Sequence, residues 1–157
     1  MKNPVRQLLK IPVPWVFVLG YVAGLVLQVW LPHGTLSQRA KWVSVGVGAG
    51  LFALGVVIAG WGLTLFRQAS TTTVPGERSE LLVTRGPYRL TQNPMYVGLT
   101  LAYLGEAGLL RQVWPLVVLP LVLAYLQWVV IPLEESRLRE RFGAEYVAYC
   151  RRVRRWI

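Results

Sequence analysis

Apolar residues come in long unbroken blocks. Residues 11–31, 42–66 and 113–133 carry no charged side chain. Each is close to the ~20 residues that a helix needs to cross a hydrocarbon core. A fourth block, residues 95–110, is shorter and is interrupted by Glu106. The pattern predicts an all-α integral membrane protein with four transmembrane helices. Pro12 and Pro14 suit the start of the first helix, and Pro32 with Gly34 suits its end, giving residues 13–31. The second is predicted over residues 42–66 and the third begins after Pro94. The third and fourth are joined only by "LLRQVWP", so they form a tight antiparallel hairpin, with the fourth over residues 113–133.

The character of the chain changes in two places. Residues 67–94 form a long loop between the second and third helices, and loops of this length are usually functional or disordered. Here "LLV" is an apolar anchor, Gly86-Pro87 is a turn, and Tyr88 and Tyr96 are rings worth burying, which speaks for order. After residue 133, Leu138, Phe142, Tyr146, Tyr149, Val153 and Trp156 recur mostly at steps of three or four, with arginines between them. This predicts a basic amphipathic tail helix on the membrane surface or capping the bundle. The single domain is thus two N-terminal helices (1–66), a cytoplasmic loop (67–94), a transmembrane hairpin (95–133) and a cytoplasmic tail helix (134–157).

Composition supports the membrane reading. Of 157 residues, 54% are hydrophobic and only 15% charged, which does not suit a soluble domain of this size. The net charge of +10 raises the question of nucleic acid. The basic residues flank the apolar blocks, so headgroups and topology explain them better, and no nucleic-acid partner is expected. Lys2, Arg6 and Lys10, then Arg67, Arg78, Arg85 and Arg89, then seven arginines from Arg137 to Arg155 share one face; Arg39, Lys41 and Arg111 lie on the other. By the positive-inside rule both termini and the middle loop are cytoplasmic, in a cell inner membrane. The N-terminal apolar run has no small-residue cleavage site and is read as a retained helix. Cys150 is the sole cysteine, which excludes an intrachain disulfide and fits an inert buried thiol. His33 is the sole histidine, with no cysteine or acid cluster beside it, so no metal is expected. Gly46 and Gly50 make a G-x-x-x-G pair that lets another helix approach.

The hairpin brings two polar segments to one cytoplasmic mouth. "PYRLTQNPMY" ends where the third helix leaves that face, and Glu134 and Glu135 stand where the fourth returns to it. Carboxylates and tyrosine rings suit a cation, and the bilayer beside them suits a lipophilic partner. S-adenosylmethionine, a water-soluble sulfonium used on a lipid, fits both. The plainer alternative has Glu134 and Glu135 opening the tail helix at its dipole end, or pairing with Arg137, Arg139 or Arg141. Glu106, near the outer end of the third helix, reads as structural or interfacial, within reach of Arg111.

"LLVTRGPYRLTQNPMYVG", about 35 apolar residues later followed by "EESRLRERFGAEYVAYCRRVRRWI", resembles the isoprenylcysteine carboxyl methyltransferase family. These are integral-membrane enzymes that use S-adenosylmethionine and are related to the phospholipid N-methyltransferases. The resemblance covers residues 80–156, and "TTTVP" upstream is similar too. It implies methyl transfer to a lipophilic acceptor, an isoprenylcysteine carboxylate or another lipid. It implies that Leu81, Leu82, Val83 and Tyr88 line the cofactor pocket, that Asn93, Pro94 and Tyr96 contact the cofactor, and that Glu134 binds it with Glu135 in support. Asn93, Tyr96 and Glu134 would then stand at the reaction, and Phe142-Gly143 and Tyr146 would fold the tail over the pocket. The family usually has Arg-His before the motif proline, where this chain has Gln92-Asn93. Asparagine hydrogen-bonds but neither carries charge nor moves a proton as histidine does. That favours an acceptor that arrives already nucleophilic. Two rivals remain: a membrane sterol-type reductase using NADPH, and an inactive relative that keeps the cofactor site.

Overall fold

The computed structural model describes residues 13–31, 37–70 and 81–157. The basic N-terminal residues, His33, the Pro32 and Gly34 stop signals, Arg78 and "TTTVP" lie outside the described residues. Helices α1 (Val13–Trp30), α2 (Gln38–Ser70), α3 (Pro94–Leu109), α4 (Trp114–Tyr125) and α5 (Ile131–Arg152) account for most of the fold, with a short 3-10 turn over Gly86–Arg89. No strand occurs among the described residues.

Three helices are long and apolar enough to cross a membrane: Val13–Trp30, Gln38–Ala69 and the helical run Trp114–Arg152, which is kinked at Gly143. The fourth apolar helix, α3, has 16 residues, or about 24 Å at 1.5 Å per residue. That is short of a ~30 Å hydrocarbon core. Helix α2 is longer than its apolar block implies. Its 33 residues extend about 50 Å, because a charge ends a hydrophobic span but not a helix. Ser37 caps its start, its Oγ accepting from the Ala40 N–H at 3.3 Å. The far end therefore carries Ala69 beyond the apolar span, which ends at Phe66.

The tail also departs from expectation. No helix begins at Glu134. Instead α4 passes through a π-type turn over Leu126–Val130 directly into α5. Pro132 has no N–H to bond the Trp128 carbonyl four residues back, and the ladder widens there to accommodate it. The break comes later, at Gly143, with φ 49 and ψ −121. A Cβ there would meet nothing within 4 Å, so the backbone angle, not space, demands glycine.

Helix α2 lies along α3, and α1 lies along α4. The close contact between α2 and α3 is made by glycines, though not the expected pair. Gly46 and Gly50 face open space. Gly48 and Gly55 on α2 meet Gly98 and Gly105 on α3, seven residues apart on each helix, so that one stripe faces one stripe. A Cβ on Gly48 would sit 2.5 Å from the Leu109 nitrogen, and one on Gly98 would sit 2.5 Å from the Ala59 nitrogen. Backbone thus meets backbone, as in other small-residue membrane crossings. The Ser44 hydroxyl adds a bond to the Gly108 carbonyl at 2.6 Å.

At the end of the bundle remote from the Gly86–Arg89 turn, Tyr21 donates to Gln112 at 2.7 Å and the Trp114 ring N–H to the Leu31 carbonyl at 2.6 Å. Tyr103 donates to the Pro115 carbonyl at 2.9 Å. Among the described residues no ion pair joins Glu106 to Arg111. The main core gathers Phe17, Tyr21, Tyr96, Tyr103, Leu119, Leu126 and Ile131, and a satellite of Tyr146, Tyr149 and Val153 packs with Leu82, Phe142 and the half-buried Cys150.

Two substitutions separate the tight crossing from the open face. Gly98→Val forces α2 and α3 apart and is expected to cost at least about 1–3 kcal/mol, read as a lower unfolding temperature in detergent. Gly46→Ala leaves that temperature unchanged within error.

Candidate functional site

The loop between α2 and α3 is built to hold a tyrosine against the bundle. Gly86 adopts φ +62, and a Cβ there would sit 2.5 Å from Leu65, so only glycine lets the turn lie on α2. Pro87 and Tyr88 are then buried. The Pro87 carbonyl closes the turn by accepting from the Leu90 and Thr91 N–H groups at 3.1 and 3.3 Å. Tyr88 donates to the Gly62 carbonyl at 3.4 Å, while its own carbonyl accepts from Tyr149 at 2.8 Å. Burial, with the Glu134 charge second, pushes the Tyr88 phenol up to about 12, so it stays protonated. Pro94 then starts α3 at a position where its missing N–H costs nothing, and Tyr96 follows in the first turn.

Tyr96 joins the two motifs. Its hydroxyl lies 2.7 Å from each Glu134 oxygen. The charge-free stretch of the long rod ends at Leu133, so Glu134 sits just past it. Burial raises its carboxyl above the usual carboxylate range, while the Tyr96 hydrogen bond and the charge of Arg137 act in the opposite direction. Glu135 points elsewhere. It pairs with Arg155, 2.7 Å from Nε to Oε1, and not with the nearby Arg137, Arg139 or Arg141.

These groups surround one cavity of about 490 Å³, within the ~300–1,000 Å³ range of small-molecule sites. Leu81, Leu82, Val83 and Tyr88 from the loop line it, as do Asn93, Pro94 and Tyr96 at the start of α3. Glu134 and Glu135 line it from α5, with Phe142 and Tyr146 further along. All nine residues expected at a cofactor are thus brought together. Gly143 does not line the cavity; it breaks the helix so that Tyr146 and Tyr149 turn toward the loop.

Sequence reasoning missed other parts of the wall. Phe66 comes from the end of the apolar block of α2 and Ala69 from its extension, and Arg137, Leu138 and Arg141 from α5. The signal for the second group was present. Counting from Glu134, residues 137, 138, 141 and 142 fall at i+3, i+4, i+7 and i+8, one helical face. Gln92 and Asn93 also reach the cavity, but their side-chain amides are engaged elsewhere: Gln92 donates to the Val153 carbonyl at 2.6 Å and Asn93 to the Arg155 carbonyl at 2.9 Å.

Chemically, the cavity offers a half-buried carboxylate, Glu134, among tyrosine rings and an apolar wall. That set suits a cation with an apolar body. S-adenosylmethionine has both features, so the residues present fit it. Among the described residues no three His, Cys, Asp or Glu side chains cluster as metal ligands do.

Comparison with known proteins agrees with this chemistry. The sequence model of the phospholipid methyltransferase family matches residues 43–145, which takes in α2, the loop, α3, α4 and most of α5. The chain is 30% identical over 118 residues to the cobalt-zinc-cadmium resistance protein CzcN of Cupriavidus metallidurans, covering 75% of this chain and 54% of that protein. It is 33% identical over 99 residues to the phosphatidyl-N-methylethanolamine N-methyltransferase of Saccharomyces cerevisiae, covering 59% of this chain and 46% of that protein. The chain therefore spans about half the length of these relatives. No solved structure matches it at a significant level.

Replacing Tyr96 by Phe leaves Glu134 buried with one partner fewer. The expected cost is about 1–3 kcal/mol, measured by thermal unfolding.

Proposed function

The chain belongs to the phospholipid methyltransferase family, and on that footing we propose that it transfers a methyl group from S-adenosylmethionine to a lipid acceptor. The observation that carries this reading is the Glu134 carboxylate, buried against Tyr96 and Tyr88 in a cavity at the end of apolar helices. When bound, S-adenosylmethionine supplies a methyl group already activated by a sulfonium charge. Glu134 and the two rings hold the cationic end by charge and by cation–π attraction. Leu81, Leu82, Val83 and Pro94 form the apolar wall that excludes water and fixes orientation. Asn93 and Glu135 complete the polar rim. Phe66 and Ala69 on α2 and Leu138 and Phe142 on α5 line the same cavity, apolar surface suited to a lipid chain.

Glu134 also bears on the choice of acceptor. The motif lacks a histidine, but a carboxyl raised by burial can accept a proton. An amine headgroup, as the name of the yeast relative indicates for that protein, is then accommodated. An isoprenylcysteine carboxylate, which needs no base, is the second reading, favoured by the Gln92-Asn93 pair. Family membership sets the reductase reading aside. We further propose that α3 completes a four-span bundle, with both termini and the cavity on the cytoplasmic side of a cell inner membrane, because that face carries the excess of arginine.

The test is transfer of a labelled methyl group to vesicles of phosphatidylethanolamine or its N-methyl derivative, against a prenylcysteine in the same lipid. Label in the headgroup supports the amine acceptor, label on the prenylcysteine supports the carboxylate, and no transfer to any lipid contradicts the reading. Activity is expected to fall as pH drops through the raised Glu134 value, above the usual ~4.3, because protonation removes both the charge and the base. Glu134→Gln is expected to lose about 10²-fold or more and to abolish that acid limb.

A further inference from the structure

Two adjacent carboxylates line the cavity, yet a single cationic donor needs only one. The remainder of the chain accounts for the other. Arg155 grips Glu135 with both arms of its fork, Nε to Oε1 at 2.7 Å and the second nitrogen to Oε2 at 2.9 Å. The pair is only partly covered, with side-chain exposures of 36% and 18%. A long side chain in such a place is normally held loosely, because fixing it costs rotamer entropy. Here its backbone is fixed from the other motif. The Arg155 carbonyl accepts from Asn93 Nδ2 at 2.9 Å and from the Thr91 hydroxyl at 3.1 Å. Gln92 takes the two preceding carbonyls, Val153 through its side chain at 2.6 Å and Arg154 through its backbone N–H at 2.9 Å. Thr91 is 4% exposed, and its oxygen also accepts from the Asn93 N–H at 3.1 Å. Just beyond, the Trp156 ring N–H donates to Gln127 at 2.8 Å. Three consecutive residues thus hold three consecutive carbonyls of a segment that has left the helix at Val153, with φ −124 and ψ 132.

We propose that Thr91, Gln92 and Asn93 are positioning residues that hold Arg155 against Glu135, and that Arg155 thereby leaves Glu134 as the one effective negative charge of the cavity. This rests on the methyl-donor reading of the site. Without Arg155, two neighbouring carboxylates share a partly dry pocket, repel each other and titrate as a pair. Glu135 otherwise acts on the Tyr146 phenol. Glu134 faces Tyr96, Tyr88 and Arg137, with Arg141 also on the wall. Arginine suits the task because it stays charged and its planar fork matches a carboxylate. The Gln92-Asn93 pair then serves through its amides, which donate to backbone carbonyls.

Two readouts on the full chain in detergent test the proposal. The first needs no ligand. Amide hydrogen exchange in Asn93→Ala is expected to quicken about tenfold or more in residues 88–93 and 153–156, while α2 and α3 stay protected. Unchanged protection of residues 153–156 overturns the clamp. The second is the pH dependence of S-adenosylmethionine affinity. The wild-type chain is expected to couple binding to about one proton, Arg155→Ala to about two, and Arg155→Ala with Glu135→Gln to about one again. Arg155→Lys keeps the wild-type slope because it keeps the charge. An Arg155→Ala slope that stays at one proton, or that shifts equally when Glu135 is already Gln, overturns the charge assignment. If the wild-type chain binds no S-adenosylmethionine at any pH, the functional reading fails, and the exchange experiment decides the clamp alone.

Discussion

The hydrogen bond between Tyr96 and Glu134 joins residues 38 apart in sequence and ties the first turn of α3 to the rod formed by α4 and α5. Everything around it serves to keep that bond partly dry. The glycine crossing lets α2 lie against α3 so closely that its far end overhangs the site. Gly86 lets the loop fold down on α2 and buries Tyr88 beneath it. Gly143 turns the end of α5 back, and Tyr149 fastens it to the Tyr88 carbonyl. A carboxylate in this setting is costly unless it is hydrogen-bonded, and Tyr96 is the group that compensates it.

The cavity is electrically divided in a way that suits its proposed use. Glu135 is neutralised by Arg155, whereas Glu134 keeps only a neutral phenol as its direct partner. A cation entering the cavity therefore meets a carboxylate whose desolvation has already been met by folding. Arg137 and Arg141 stand on the same wall one turn apart, and the Arg137 charge acts on Glu134. Apolar residues of α2 and α5 line the same cavity beside this polar core. A soluble cation and a lipid can thus meet at one point without either crossing the other's medium.

Much of this was legible in the residues. Charge-free blocks revealed the apolar helices because the bilayer imposes a length, and two spaced motifs pointed to nine of the residues that line the cavity. What was not legible depended on contacts distant in sequence. The span of α2 was underestimated because Arg67 and Gln68 end a membrane block without ending a helix. Gly46 and Gly50 were chosen by their spacing, yet Gly48 and Gly55 make the crossing, since the rotation of a helix about its axis is set by its partner. The tail was expected to start at Glu134, where the acids stand. The rod instead continues unbroken to Gly143, where a positive φ is required. Pairing of Glu135 with Arg137, Arg139 or Arg141 was only an alternative, and its partner is 20 residues downstream, brought there by a bend and by the amides of Gln92 and Asn93.

The central claim is that Glu134 and Tyr96 form the binding point for a cationic methyl donor. Calorimetry of S-adenosylmethionine with the detergent-purified chain tests it most directly, with Glu134→Gln beside it and NADPH as control. The account requires micromolar binding of S-adenosylmethionine, a loss of at least about tenfold in Glu134→Gln, equivalent to ~1.4 kcal/mol, and no binding of NADPH. Failure of the folded wild-type chain to bind S-adenosylmethionine, or equal binding by Glu134→Gln, would contradict it.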